Sequence, residues 1–296
     1  MAWPRVFNTN GMKNILVPTD LSPIANLGLK LAVQISTGTE ATIRLVNFTK
    51  HPISMTFTAM GDINTKVDDE EKFYILKLLQ ANKVKLHDLV EQYRGQAKIE
   101  YSIEDNEFKN GLDEYLKREE IDLIVMGTSG EENLKELFTG NHTEQAIKIS
   151  SCPVISVRDG FSISNFRNIV AAVSCLDDEK IRQGLSDLYQ LARIFKSTVH
   201  LVHVVDPASD STKDMNEFLS NLAVNTLLVP YTVNLLEGDD SIETVMKFAR
   251  EIRAGLIAVI KESPGRGLRI FSNHFSDRMV KEEGRPVLTV HPRTSR

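Results

Sequence analysis

At 296 residues, with 42% hydrophobic and 25% charged residues, the chain has room for two globular domains and is neither disordered nor fibrous in composition. A net charge of -5 gives no support to nucleic-acid or anionic-membrane binding, and no apolar run reaches the length of a membrane span; MAWPRVFNTNG also lacks a signal peptide's apolar core, so a cytoplasmic protein is expected. The cysteines, Cys152 and Cys175, suit buried free thiols better than a disulfide framework, and seven scattered histidines show no metal-ligand spacing.

Residues 1–11 read as an irregular leader, and the regular pattern starts at Met12. Ile15 to Val17 reads as a buried strand. Ser22 and Pro23 then suit the N-cap and first position of a helix whose apolar stripe is Ala25, Leu29, Ala32 and Val33. Thr42 to Phe48, rich in β-branched and apolar residues, is the second strand. His51 to Lys66 is irregular, a loop or lid candidate. A helix from Asp69 to Tyr93, a strand from Ala97 to Ile103, a helix from Phe108 to Lys117 and a strand ending at Gly127 follow. Strands alternating with helices indicate βαβ units and a parallel sheet.

The chain then repeats itself. Asn14-Ile15-Leu16-Val17 is answered by Asn168-Ile169-Val170-Ala171, and Leu45-Val46-Asn47-Phe48 by Leu201-Val202-His203-Val204. Pro153 to Val157 is answered by Pro286 to Val290. The second copy is shorter, and its deficit falls after the second strand. Arg158 to Arg167 is the expected linker between domains at 12–158 and 166–292. The last strand of each domain, Val154 to Val157 and Val287 to Val290, is expected to be a sheet edge that needs cover.

Between the fourth and fifth strands lies a glycine-punctuated loop: Gly127, two residues, Gly130, nine residues, Gly140, then Asn141 and a helix. A strand, glycines and a helix N-terminus offer unpaired backbone N–H groups to an anion such as phosphate. Asn141 also reads as an N-cap with Glu144 as capping-box partner. Asp20 reads either as a turn residue or, at the carboxyl end of the first strand, as a ligand contact. His142 reads as a surface helix residue, because no Ser, Asp or Cys stands at catalytic spacing to it.

These motifs resemble the universal stress protein family, and the tandem resembles its two-domain members over Met12 to Pro292. The resemblance implies two tandem open parallel-sheet α/β domains, adenine nucleotide alpha hydrolase-like and Rossmann-like, forming an intrachain pseudo-dimer in which the two last strands pair. It also implies an ATP-binding fingerprint in which Gly127, Gly130 and Gly140 match the glycines and Asp20 the adenine-side acid. Asn141 stands where Ser or Thr is usual, and Thr143 is an alternative hydroxyl. The implied site is Val17, Pro18, Thr19, Asp20, Phe48, Met126, Gly127, Gly130, Gly140, Asn141, His142 and Thr143, holding ATP or AMP, with Mg²⁺ bridging the phosphates. Phe48, where the family often has Val, either stacks on the base or occludes it.

The second copy lacks the fingerprint. Ile260, Ser263 and Asn273 align with the three glycines and Ser174 with Asp20, so the fold itself is expected not to need the glycines. Lys261, Arg266 and Arg269 form either another anion site or a solvated loop. Glu237-Gly238-Asp239 resembles the family's usual loop after the third strand. Two functions follow: an adenine-nucleotide-binding stress or regulatory module, or a non-nucleotide-binding scaffold. With no general base, Walker lysine or arginine finger in view, any ATP hydrolysis is expected to be slow. Homodimerisation is a further expectation.

Overall fold

The computed structural model describes residues 11–50, 69–128, 142–158, 166–173, 178–205, 212–226, 229–238, 240–260 and 285–290. The expected lid at 51–66, the glycines Gly130 and Gly140, Asn141, most of the linker, Ser174, Cys175 and the basic run from Lys261 to Arg269 lie outside them, as do Ser263 and Asn273.

The first half runs β1 (Asn14–Pro18), α1 (Pro23–Thr39), β2 (Thr42–Phe48), α2 (Asp69–Glu91), β3 (Ile99–Glu104), α3 (Phe108–Arg118), β4 (Leu123–Gly127), α4 (His142–Ile149) and β5 (Val154–Val157). The second runs β6 (Asn168–Val173), α5 (Asp178–Phe195), β7 (Thr198–Val205), α6 (Thr212–Thr226), β8 (Tyr231–Glu237), α7 (Ser241–Glu251), β9 (Leu256–Ile260) and β10 (Val287–Val290). Local chemistry sets the ends. Ser22 Oγ accepts from the Ala25 N–H at 3.1 Å and Pro23 opens α1, as its sequence indicates. Helix α2 stops at Glu91, two residues before the expected Tyr93, because the chain turns through Gly95 at φ 78°, a conformation glycine adopts without strain.

The strand order is β3-β2-β1-β4-β5-β10-β9-β6-β7-β8. Within each half every pairing is parallel. At the centre β10 runs antiparallel to β5, with Val287, Leu288 and Thr289 opposite Ser156, Ile155 and Val154. The two last strands thus cover each other, and β3 and β8 are the outer edges. The size difference lies between Phe48 and Ile99 against Val205 and Tyr231, and α2 has 23 residues where α6 has 15.

The core is asymmetric across the sheet. On one face a single cluster joins both halves, from Ile15, Leu29 and Leu45 through Ile155, Val157, Leu288 and Val290 to Leu188 and Leu201. On the other face there are two separate clusters, one under α3 and α4 and one under α7. Full burial of a Val, Leu or Ile side chain contributes about 1.5–3 kcal/mol, so opening the central seam would forfeit several such terms. Helices α1 and α5 meet at Gly38, where a Cβ would lie 2.5 Å from Ile194 Cγ2. Phe166, at the end of the expected linker, belongs to this core: it is 1% exposed and packs edge-on against Phe195 at 4.9 Å. No helix among the described residues is long and apolar enough to cross a membrane.

Candidate functional site

The strand order reverses between β1 and β4, since the chain leaves β1 toward β2 on one side and β4 lies on the other. Open α/β sheets bind ligands in the crevice outside the carboxyl ends of such strands. Ile15 pairs with Leu123 and Leu16 with Ile124, so Val17 to Asp20 and Met126 to Thr128 leave the sheet side by side. Of the sequence-derived site residues, the structure brings Val17, Pro18, Thr19, Asp20, Met126 and Gly127 to this edge.

Each has a definite local role. Val17 and Pro18 are buried in β1. Thr19 is buried; its N–H donates to Val46 O at 2.9 Å and its Oγ1 accepts from the Leu21 N–H at 3.0 Å. Leu21 sits at φ 66°, a left-handed conformation costing an L-residue about 1–2 kcal/mol. The turn holds it there: Asp20 Oδ1 accepts from the Ser22 N–H at 2.9 Å. The turn role of Asp20 is therefore present, with the side chain exposed at the crevice mouth.

Asn47 was not among the sequence-derived residues. It is 3% exposed, and its Nδ2 donates to Thr19 O at 2.7 Å, tying the end of β2 to the turn that carries Asp20. Its Oδ1 accepts from Thr49 Oγ1 at 2.7 Å. The available signal was a polar residue in an apolar strand, matched in the repeat by His203. His203 Nδ1 bonds Val173 O at 2.8 Å, the corresponding tie in the second half.

Gly127 corrects an expectation. A Cβ there would overlap the backbone carbonyl of Ile24 in the first turn of α1. Opposite it, a Cβ on Gly28 would lie 2.9 Å from Gly127 N and 3.1 Å from Val125 O. Helix α1 rests on β4 through two glycines, so this fold needs Gly127 whether or not a phosphate binds. In the second half the arrangement is inverted. Ile260 ends β9 where Gly127 ends β4, and the room for it comes from Gly184 on α5, whose Cβ would lie 2.8 Å from Ile260 Cγ2.

On the β2 side the crevice is bounded by aromatic rings. Phe48 packs edge-on against Phe108 at 5.7 Å and Tyr115 at 6.2 Å, on the ground left by Gly111, whose Cβ would lie 2.7 Å from Phe48 Cδ1. The Phe48 ring is thus committed to α3. Burial, and secondarily Glu119, pushes the Tyr115 phenol up, so it stays a neutral hydroxyl. His142, exposed at the start of α4, stacks on Phe108 at 4.3 Å and 22°. Thr143 is buried on the first turn of α4, and Glu144 pairs with Lys148 at 2.5 Å. Met126 is buried in the cluster under α3 and α4.

Around α7, described residues of the Glu237-Gly238-Asp239 motif have packing and capping neighbours. Gly238 packs against the Thr244 side chain, and Asp240 caps α7 by accepting from the Ile242 and Glu243 N–H groups at 2.9 and 3.1 Å. Cys152 is buried and forms no disulfide among the described residues. Among the described residues no group of three or more His, Cys, Asp or Glu could hold a metal ion.

Comparison with known proteins agrees with this architecture. Two universal stress proteins of Methanocaldococcus jannaschii match about half of the chain: one is 28% identical over 153 residues, 49% of this chain and 94% of the relative, the other 26% identical over 155 residues, 50% and 84%. The crystal structure of a universal stress protein from Archaeoglobus fulgidus superimposes with a TM-score of 0.65 at 18% identity, covering 95% of this chain and 97% of that one, which extends the fold likeness to both halves. The model of the universal stress protein family matches residues 11–158, and the chain belongs to that family.

Proposed function

We propose that the chain is a cytoplasmic nucleotide-binding stress-response module, with one adenine nucleotide, ATP or AMP, bound by the first domain, 12–158, and none by the second, 166–292. The observation that carries this reading is the difference between the two switch points. The first presents Thr19, Asp20, Gly127 and Thr128 at its edge; the second is filled by Ile260 against Gly184. One carboxylate oxygen of Asp20 serves the turn, and Oδ2 has no partner among the described residues, which suits an amino-group donor such as that of adenine. Gly130, Gly140 and Asn141 would hold the phosphates by their place in the fingerprint, with Mg²⁺ bridging them. Calorimetric titration with ATP and AMP tests the reading. Binding is expected, with loss in Gly130→Val and Gly140→Val and little change in Ile260→Ala. Silence at millimolar nucleotide, or indifference to both glycine variants, would remove it.

Phe48 favours a second reading, a scaffold without nucleotide. Its ring packs against the Phe108 and Tyr115 rings and over Gly111, all on α3, a commitment that competes with stacking on a base. The same titration separates the readings, and Phe48→Val, which restores the residue more usual in the family, is expected to raise affinity in the first case only.

A further inference from the structure

The nucleotide site proposed for the first domain is short of positive charge. The residues that the fingerprint assigns to it include no lysine or arginine, and Asp20 adds a carboxylate. In sequence, the stretch between Gly130 and Gly140 carries Glu131, Glu132 and Glu136 against Lys135 alone. Each phosphate of a nucleotide adds negative charge, and a polyanion beside carboxylates is repelled unless a cation offsets it.

A titratable base stands where that cation is needed. His142 opens α4 directly after the loop, exposed, with its imidazole stacked on Phe108 at 4.3 Å and 22°. Phe108 opens α3 and is itself set edge-on to Phe48, at the end of β2, 5.7 Å away. Two helix starts and a strand end are thus joined by a ladder of rings, and the imidazole is oriented by packing. The second half lacks the ladder: Ser241 opens α7 where Phe108 opens α3, and Val204 stands where Phe48 ends β2. The ladder therefore belongs to the half that carries the glycines, and the fold does not require it. Of the charged groups on the elements around His142, Lys50 pairs with Glu107 at 2.6 Å and Glu144 with Lys148 at 2.5 Å. Asp105, ahead of α3, and Arg158, past the end of β5, also have partners, while Lys109, next along α3, is exposed.

We propose that His142 makes the affinity of this site for phosphorylated nucleotides depend on pH, with Phe108 as the positioning residue that holds the imidazole at the loop. The inference rests on the nucleotide reading of the first domain. An imidazole ordinarily changes charge at about pH 6.5. The imidazolium attracts phosphate and the neutral ring does not, so nucleotide binding and proton uptake strengthen each other. The face of Phe108 favours the cation as well. The gain in affinity is therefore present below the imidazole range and lost as pH rises through it. A nucleoside without phosphates gains nothing.

Calorimetric titration of the full chain with ATP and with adenosine, in excess Mg²⁺ at about pH 5.5 and about pH 8, on either side of the imidazole range, tests the proposal. The terminal phosphate of ATP takes up its own proton at about pH 6 in every variant, so variants are compared at one pH. At the acid pH, His142→Ala is expected to bind ATP about tenfold more weakly than the unsubstituted chain; at the alkaline pH the two should bind equally, and adenosine equally at both. His142→Lys should keep the tighter ATP binding at both. Phe108→Leu should lose part of the acid-side gain and Phe108→Tyr retain it, at unchanged circular dichroism. An ATP deficit in His142→Ala that is the same at both pH values, or the same for adenosine, would overturn the inference. A chain that binds neither ligand removes the nucleotide reading and this inference with it. ATP binding that Gly140→Val abolishes and His142→Ala leaves untouched at the acid pH removes this inference alone.

Discussion

The two switch points of the sheet solve the same packing problem in opposite ways. At the first, the strand end is glycine and the helix carries Gly28, so backbone meets backbone where α1 crosses β4. At the second, the strand end is Ile260 and only the helix is glycine, Gly184, so a side chain fills the space. The lesson is that a missing fingerprint glycine is itself a packing decision. The first arrangement sets the backbone of α1 directly on the end of β4; the second replaces that backbone contact with the Ile260 side chain.

The largest effect should come from forcing the first site toward the second. Gly127→Ile meets the Ile24 carbonyl, which cannot rotate away as a side chain would, and is expected to cost more than about 4 kcal/mol or abolish folding of the first half, as read from urea denaturation. Loss of nucleotide binding in a Gly127 variant would therefore say nothing about phosphate, which is why Gly130 and Gly140 are the informative positions. The reverse change, Ile260→Ala, leaves a cavity beside Gly184 and should cost about 2–4 kcal/mol. Adding Gly184→Ala to Ile260→Ala should recover part of that loss, whereas Gly184→Ala alone should cost about 1–3 kcal/mol; additivity of the two would refute the pairing.

Removing the ties that hold the strand ends should matter less. Asn47→Leu leaves Thr19 O without its side-chain donor and is expected to cost about 1–3 kcal/mol, and to weaken nucleotide binding if the Asp20 turn is part of the site. His203→Leu at the matching tie should cost a similar amount with no effect on nucleotide. At the seam, Ser156→Ala removes one 3.3 Å bond to Val287 O and should cost only about 0.5–1.5 kcal/mol.

The second half should also carry a pH dependence that the first lacks at the corresponding place. His200, in β7, bonds Thr232 Oγ1 at 2.8 Å and Asn168 Oδ1 at 3.3 Å, while the matching residue of β2 is Arg44, paired with Glu100. Burial pushes the His200 imidazole down. As pH falls through the ordinary imidazole range, the unfolded chain takes up this proton first, so the stability that neutral His200 contributes is lost on acidification and restored above that range. The urea midpoint of His200→Gln should fall less between pH 7 and pH 5 than that of the unsubstituted chain; an equal fall would assign the dependence to other groups.

Much of this architecture was legible from residues alone. Apolar β-branched runs bounded by turn residues placed the strands, with β2 matched at both ends. Ser22 and Pro23 marked the start of α1, because an N-cap and a first-turn proline act over a few residues of chain. The repeat located the size difference between β2 and β3. It misled at Gly127, where alignment compares residues one by one and cannot see that Ile260 is admitted by Gly184, far away in sequence. It also passed over Asn47, whose partner is a backbone carbonyl on another strand.

By itself, then, the sequence determined two α/β copies, their element order and a candidate phosphate loop in the first, since periodicity, caps and spacing are properties of neighbouring residues. Only the tertiary structure decided what Gly127 packs against, where the Phe48 ring rests, and that one face of the core is shared by both halves. Each of these depends on which distant segment arrives at a given surface, and that is set by packing across the whole sheet.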